Sequence, residues 1–158
     1  MFEHNRWANL RLVDAVAGVS DECLDAGCVG TAGTIRNTLM HVAGAEQRYV
    51  MRLSDRAPTY GERGGWPGAE ALRNALDESG SLLIGLAESV PQDRVLTAEY
   101  QGQTHHVPVT TVFVQAINHA TEHRAQINMI ITQQGLEPPE IDGWAYVIAN
   151  IATEEGAG

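Results

Sequence analysis

Four long blocks of this sequence carry apolar residues at the spacing of an α-helix, and helix breakers separate the blocks. The apolar positions of the first block, which stops at Gly18, are Trp7, Leu10, Val13 and Ala17. Those of the second block are Ile35, Leu39, Val42, Tyr49 and Leu53. Thr34 stands directly before the second block, where a hydroxyl side chain can cap a helix. This periodicity predicts a mostly helical chain.

The third and fourth blocks have equally clear limits. The third block ends at Pro91, and its inward positions are Leu72, Leu76, Ser79, Leu83, Leu86 and Val90. The fourth begins near Thr110 and ends at Gly135, with apolar positions at Phe113, Ala116, Ala120, Ile127 and Ile131. Between them, residues 94–108 place β-branched and aromatic residues around Q-G-Q, which predicts a small β-hairpin.

These elements predict an all-α fold, a four-helix bundle with the small hairpin before the last long helix. Two long connections favour a crossover, up-down-down-up topology. The 158 residues are the length of one domain, so we expect a single domain over residues 1–158. A short final helix is expected around Trp144, Val147 and Ile151, followed by T-E-E-G-A-G as a frayed tail.

The charge of the chain excludes several classes of function. The net charge is -10, which argues against nucleic acid or an anionic membrane as a partner. All ten basic residues are Arg, and without a Lys the chain has neither a Schiff-base amine nor a Walker-type phosphate loop. Long apolar runs and a signal-peptide pattern are absent, so we expect a cytoplasmic protein in which Cys23 and Cys28 are reduced.

The most informative polar residues are His119 and His123 in the fourth block. Residues four apart lie on one face of a helix, about 6 Å apart along its axis, so both imidazoles can reach one ion. Their face borders the apolar stripe and should point to the bundle interior or its mouth. Such a pair also arises by chance, and interior imidazoles are often satisfied by a carboxylate or carbonyl instead.

A metal site needs a third ligand, and His41 is the best candidate. It lies in the middle of the second helix, beside its apolar stripe, with small residues one turn away. His105 and His106 lie on the hairpin and are expected to be solvated. His4 is close to a terminus and is a weaker candidate.

The segment from His119 to His123 also matches H-x-x-E-H, the pattern of inverted zinc proteases. In such enzymes the Glu is a general base, and a downstream carboxylate completes the site. Here Glu122 falls about 100° around the helix from His123, which favours a solvated position. The protease interpretation therefore remains a weak alternative.

The sequence resembles the DinB/YfiT-like metalloproteins, a family with a DinB-like domain. The similar features are N-R-W-A-N-L-R-L, a histidine midway along the second helix, and N-H-A-T-E-H-R-A-Q-I, in which Ala125 replaces the glycine of the family's H-x-x-x-H-R-G-Q-I. The resemblance implies a crossover four-helix bundle, frequently dimeric, that holds one divalent ion through His41, His119 and His123. Arg124 is then expected to be a structural ion-pair or interface residue. Gln126 would be a hydrogen-bonding partner of a ligand, or simply solvated.

Three neutral histidines favour zinc, with nickel also acceptable, and they leave one coordination position open. The resemblance implies a thiol transferase that acts on a low-molecular-weight thiol or another small molecule. The alternatives are a metal-dependent hydrolase and a non-catalytic, stress-associated metal-binding module. We expect a homodimer from the resemblance, and Met40, Val50 and Val114 are candidates for a second apolar face.

Overall fold

The computed structural model describes residues 1–155, and it describes side chains as far as residue 150. Its helices are α1 (Phe2–Val16), α2 (Asp21–Leu24), α3 (Ile35–Ser54), α4 (Ala69–Ser89), α5 (Val109–Gln133) and α6 (Gly143–Glu155), with a 3-10 turn at Glu62–Gly64. The four long helices are the four predicted blocks. α6 confirms the predicted final helix and includes the first three residues of the expected tail, whereas residues 156–158 lie outside the described part.

Local chemistry sets the ends of the long helices. Thr34 caps α3, because its side-chain oxygen accepts a hydrogen bond from the backbone N–H of Asn37. After α5, Gly135 has a φ of 75°, a left-handed conformation that glycine adopts without strain. α4 ends at Ser89, shortly before Pro91. The predicted boundaries are therefore within a few residues of the observed ones.

The packing order of the long helices is not their order in the chain. α1 packs chiefly against α4 and α5, and α3 packs against the same two helices. α1 and α3 therefore occupy opposite corners of the bundle, and the chain between them crosses from one side to the other. This arrangement is the predicted crossover.

Ion pairs and core contacts show the helix directions. Asp14 near the end of α1 pairs with Arg73 near the start of α4, and Arg6 near the start of α1 pairs with Asp77 further along α4. α1 and α4 are therefore antiparallel.

The core consists of two clusters, and each contains matching parts of α3, α4 and α5. One includes Ile35, Leu39, Leu72, Leu76, Ile127 and Ile130. The other includes Val50, Leu53, Leu83, Val109 and Val112. Early α3 thus meets early α4 and late α5, so α4 is parallel to α3 and α5 is antiparallel to it. The predicted up-down-down-up order is confirmed.

The hairpin between α4 and α5 is also confirmed. β1 (Val95–Tyr100) pairs antiparallel with β2 (Gln103–Pro108), and Gln101 and Gly102 form the turn with positive φ angles of 51° and 74°. At its base, the Arg94 guanidinium donates to the carbonyl of Leu53, which attaches the hairpin to the end of α3.

Val50 was expected to lie on a second apolar face of the bundle. Val50 is only 2% exposed and belongs to the core, so its assignment to a second exposed apolar face is wrong. The periodic pattern was too coarse to detect that this side of α3 faces α5 and the hairpin.

Cys23 and Cys28 are both free thiols. Within residues 1–155, none of the helices combines the length and apolar character needed to cross a bilayer.

Candidate metal centre

Three histidines meet where the middle of α3 faces the middle of α5. His41 comes from α3, and His119 and His123 come from successive turns of α5. One ligand atom from each ring lies within 4.8 Å of the others. The Nε2 atoms of His41 and His119 are 3.1 Å apart, and the ring centroids of His119 and His123 are separated by 4.4 Å. The predicted trio is therefore a group that could hold a metal ion.

The group lies at the mouth of the bundle interior. His123 is 8% exposed, whereas His41 and His119 are half-buried. Burial, followed by the nearby His123, His41 and Arg48, lowers the pKa of His119 to about 4. His119 is thus neutral at pH 7, the form in which imidazole binds metals.

Two acceptors set the orientation of the rings. The Nδ1 of His41 is 3.1 Å from Oε2 of Glu62, and the Nδ1 of His123 is 2.9 Å from Oε1 of Gln126. A ring that donates its Nδ1–H to such an acceptor presents an unprotonated Nε2 on the opposite side. Gln126 also accepts a hydrogen bond of 3.2 Å from the backbone N–H of Ala32, which ties it to the segment before α3.

A metal site is consistent with this geometry. Ligand atoms of a tetrahedral zinc site with Zn–N bonds of ~2.1 Å are about 3.4 Å apart. The Nε2 atoms of His41 and His119, 3.1 Å apart, are already within that spacing, and every pair of ligand atoms in the cluster lies within 4.8 Å. Three protein ligands also leave one tetrahedral position for an exchangeable ligand.

Glu62 is a site residue that the sequence analysis missed. It belongs to the 3-10 turn in the long loop between α3 and α4, and its other carboxylate oxygen pairs with Arg48. Burial acts to raise the pKa of Glu62, but hydrogen bonds from Arg48 and His41 outweigh it and lower that pKa. No periodic pattern points to this residue, because a glycine-rich loop brings it to α3.

Gly44 explains how the loop comes so close to α3. A Cβ at this position would lie 2.6 Å from both Cγ and Oε1 of Glu62, which is closer than a carbon atom can approach a non-bonded atom. Gly44 is one turn from His41 on the same helix. The missing side chain therefore leaves the space in which Glu62 reaches the imidazole.

Behind the histidines, the interior holds a network built around Glu46 and Arg124. Glu46 accepts hydrogen bonds of 2.8 Å from the side-chain amides of Asn5 and Asn9 and from the hydroxyl of Ser79. Arg124 donates to the side-chain oxygens of the same two asparagines at 2.7 Å.

Burial perturbs both charges of this network. It raises the pKa of Glu46, against the opposing effect of its hydrogen-bond donors and of Arg124, and it lowers the pKa of Arg124 to about 10. Arg124 is 4% exposed, and its guanidinium bonds to Asn5, Asn9 and Thr121.

The remaining candidate residues lie away from the cluster. The His4 ring contacts the carbonyl of Ile141 and packs on Tyr146, while His105 and His106 are exposed on the hairpin. Glu122 is exposed, as the helical wheel predicted.

Comparisons with known proteins agree with this fold. The crystal structure of a DinB-like protein from Bacillus cereus ATCC 10987 superposes with a TM-score of 0.69 at 15% sequence identity, covering 89% of this chain and 92% of that one. At this identity the likeness concerns the fold alone. No curated protein matched the sequence. The model of the DinB family matches residues 1–155. This chain therefore belongs to the DinB family.

Proposed function

We propose that His41, His119 and His123 bind one divalent ion, preferably zinc or nickel, and that the protein catalyses transfer of a low-molecular-weight thiol to an electrophile. The observation that carries the proposal is the convergence of three imidazoles from two helices, two of them with Nδ1 facing an acceptor. This arrangement matches the oriented, neutral histidines of metal centres.

An ion bound here would supply one effect, a lower pKa for a thiol that coordinates it. The protein supplies the rest. Glu62 and Gln126 hold two of the rings in position, and His41 and His119 are only half-buried, so part of the cluster faces solvent. In the reaction, the thiol proton leaves to solvent, sulfur forms a bond to an electrophilic carbon, and the leaving group departs with its electron pair.

The experiment begins with untagged protein purified without added metal, analysed for bound elements. The protein is then incubated with glutathione, bacillithiol or mycothiol and with monochlorobimane, from which chloride is displaced. We expect one ion per chain and a rate above that of chelated protein. His106→Ala is the matched control for His41→Ala, because His106 is exposed on the hairpin. Equal rates for loaded and chelated protein would refute the catalytic proposal.

A second candidate function is a non-catalytic module in which the ion joins α3 to α5. The supporting observation is that the ligands come from these two helices and from no neighbouring loop. Loss of stability on chelation, together with no turnover of thiols, esters or amides, would favour this candidate. Turnover of esters or amides alone would favour the hydrolase instead.

We also propose a homodimer, on the resemblance and on apolar surface at the start of α5, where Val114 is 67% exposed. Light scattering at several concentrations tests it, and a monomer throughout would exclude it.

A further inference from the structure

Two adjoining cavities form a groove between α3, the first half of α5 and the hairpin. Their volumes are about 330 and 490 Å³, and both are lined by Arg52, Val107 and Val112. We call these two cavities together the α3 groove. Volumes of this size are typical of small-molecule sites.

One end of the α3 groove approaches His119 through Tyr49. Tyr49 lines the groove, and its ring centroid is 6.1 Å from that of His119. Arg48 lines it too, and it pairs with Glu62, the residue that contacts His41. A molecule in the groove can therefore extend one end toward the candidate metal site.

The charge of the α3 groove is opposite to that of the chain. The net charge of the protein is -10, yet three arginines line the groove, and Asp55 is the single carboxylate among its described lining residues. Two of the arginines have other roles, since Arg48 pairs with Glu62 and Arg94 donates to a backbone carbonyl.

Arg52 differs from the other two. It lines both cavities, and no carboxylate among the described residues forms an ion pair with it. An exposed guanidinium without such a partner can donate two parallel hydrogen bonds to the carboxylate of a ligand.

We propose that Arg52 is a specificity-determining residue that binds a carboxylate of the substrate while the reacting end lies at the three histidines. Binding of a carboxylate by Arg52 does not depend on the proposed function. Only the identification of the reacting end of the substrate as a thiol rests on the proposed function. His41 and Arg52 are eleven residues apart in α3, a separation of about 16 Å along the helix axis. The ligand is therefore larger than a simple thiol and close to a small peptide in length.

The probe is S-methylglutathione, which carries carboxylates but has no free thiol. Titration calorimetry with metal-free protein measures its binding without any contribution from coordination. We expect Arg52→Gln to weaken binding roughly tenfold, as expected for one lost charge-assisted contact. Arg52→Lys should restore part of the affinity, and the diethyl ester of the probe should bind the wild type as weakly as the acid binds Arg52→Gln.

Arg11→Gln is the matched control, because it removes the same charge from an exposed position over Trp7 on α1. Its affinity should equal that of the wild type. Equal binding by the Arg52 and Arg11 variants, equal binding of acid and ester, or no binding at millimolar probe overturns the proposal.

The outcomes also separate this proposal from the proposed function. Thiol transfer that is unaffected by Arg52→Gln would remove the role of Arg52 and leave the catalytic proposal intact. Carboxylate-dependent binding at Arg52 without thiol transfer would support the role of Arg52 and remove the catalytic proposal.

Discussion

The carboxylate of Glu46 and the guanidinium of Arg124 are joined by two asparagines that each bond to both groups. Asn5 and Asn9 donate to Glu46 through their amide nitrogens and accept from Arg124 through their amide oxygens. The network thereby links α1, α3 and α5 at the centre of the bundle, and Ser79 adds α4. It includes the residue that directly follows a candidate ligand, since Arg124 comes after His123 in α5.

Replacing Glu46 with Gln should destabilise the protein by about 3 kcal/mol. The amide can keep its oxygen toward Asn5 and Asn9, but its nitrogen then places a donor opposite the hydroxyl of Ser79. The charge of Arg124 is left buried without a counter-charge. Chemical denaturation measures the change. Glu122→Gln, at an exposed site on α5, should stay close to the wild type. A Glu46→Gln variant as stable as that control would show that the network contributes little.

Removing an ion bound by the three histidines should lower the free energy of unfolding. Because the ligands join α3 and α5, an ion at 100 times its dissociation constant should add ~2.7 kcal/mol to the free energy of unfolding. Denaturation with zinc and with chelator measures the difference, which should vanish in His41→Ala and persist in His106→Ala. A zinc effect of equal size in both variants would place the ion elsewhere.

Gly44→Ala should displace Glu62 without unfolding the protein. The added Cβ would overlap the Glu62 side chain, which can swing away, and His41 would lose its acceptor. Loss of such a partner typically weakens metal binding 10- to 100-fold, so we expect about a tenfold loss by competition with a chelating dye.

The matched control for this variant is Gly85→Ala in α4, where a new Cβ meets open space. Both substitutions gain helix propensity of ~1 kcal/mol, so only the effect on metal affinity should separate them. Unchanged affinity in Gly44→Ala would mean that Glu62 does not orient His41.

The sequence predicted much of this fold because its signals are local. Helical periodicity and breakers located α1, α3, α4 and α5, and two histidines four apart on α5 required only the geometry of one helix. His41 was found because it lies close to the apolar stripe of α3.

The residues that were missed depend on contacts between distant parts of the chain. Glu62 reaches His41 from a loop, and Asn5 and Asn9 meet Glu46 from the opposite corner of the bundle. The pattern N-R-W-A-N does place two asparagines four apart, which could have indicated a shared inward face. Their partners, however, depend on which residues of other helices the fold brings opposite them, and the apolar spacing of a single helix does not specify that.

Gly80→Ala should test how closely α1 approaches α4. A Cβ at Gly80 would lie 2.8 Å from both Cβ and Cγ of Arg6, and the Arg6 Cβ cannot move without its backbone. The helices would have to separate around the Arg6–Asp77 pair. We expect a net loss of about 1–2 kcal/mol in denaturation experiments, because the overlap outweighs the gain in helix propensity. Gly85→Ala, five residues further along α4, should instead be stabilising. If Gly80→Ala were stabilised to the same degree, α1 and α4 would be farther apart than the structure places them.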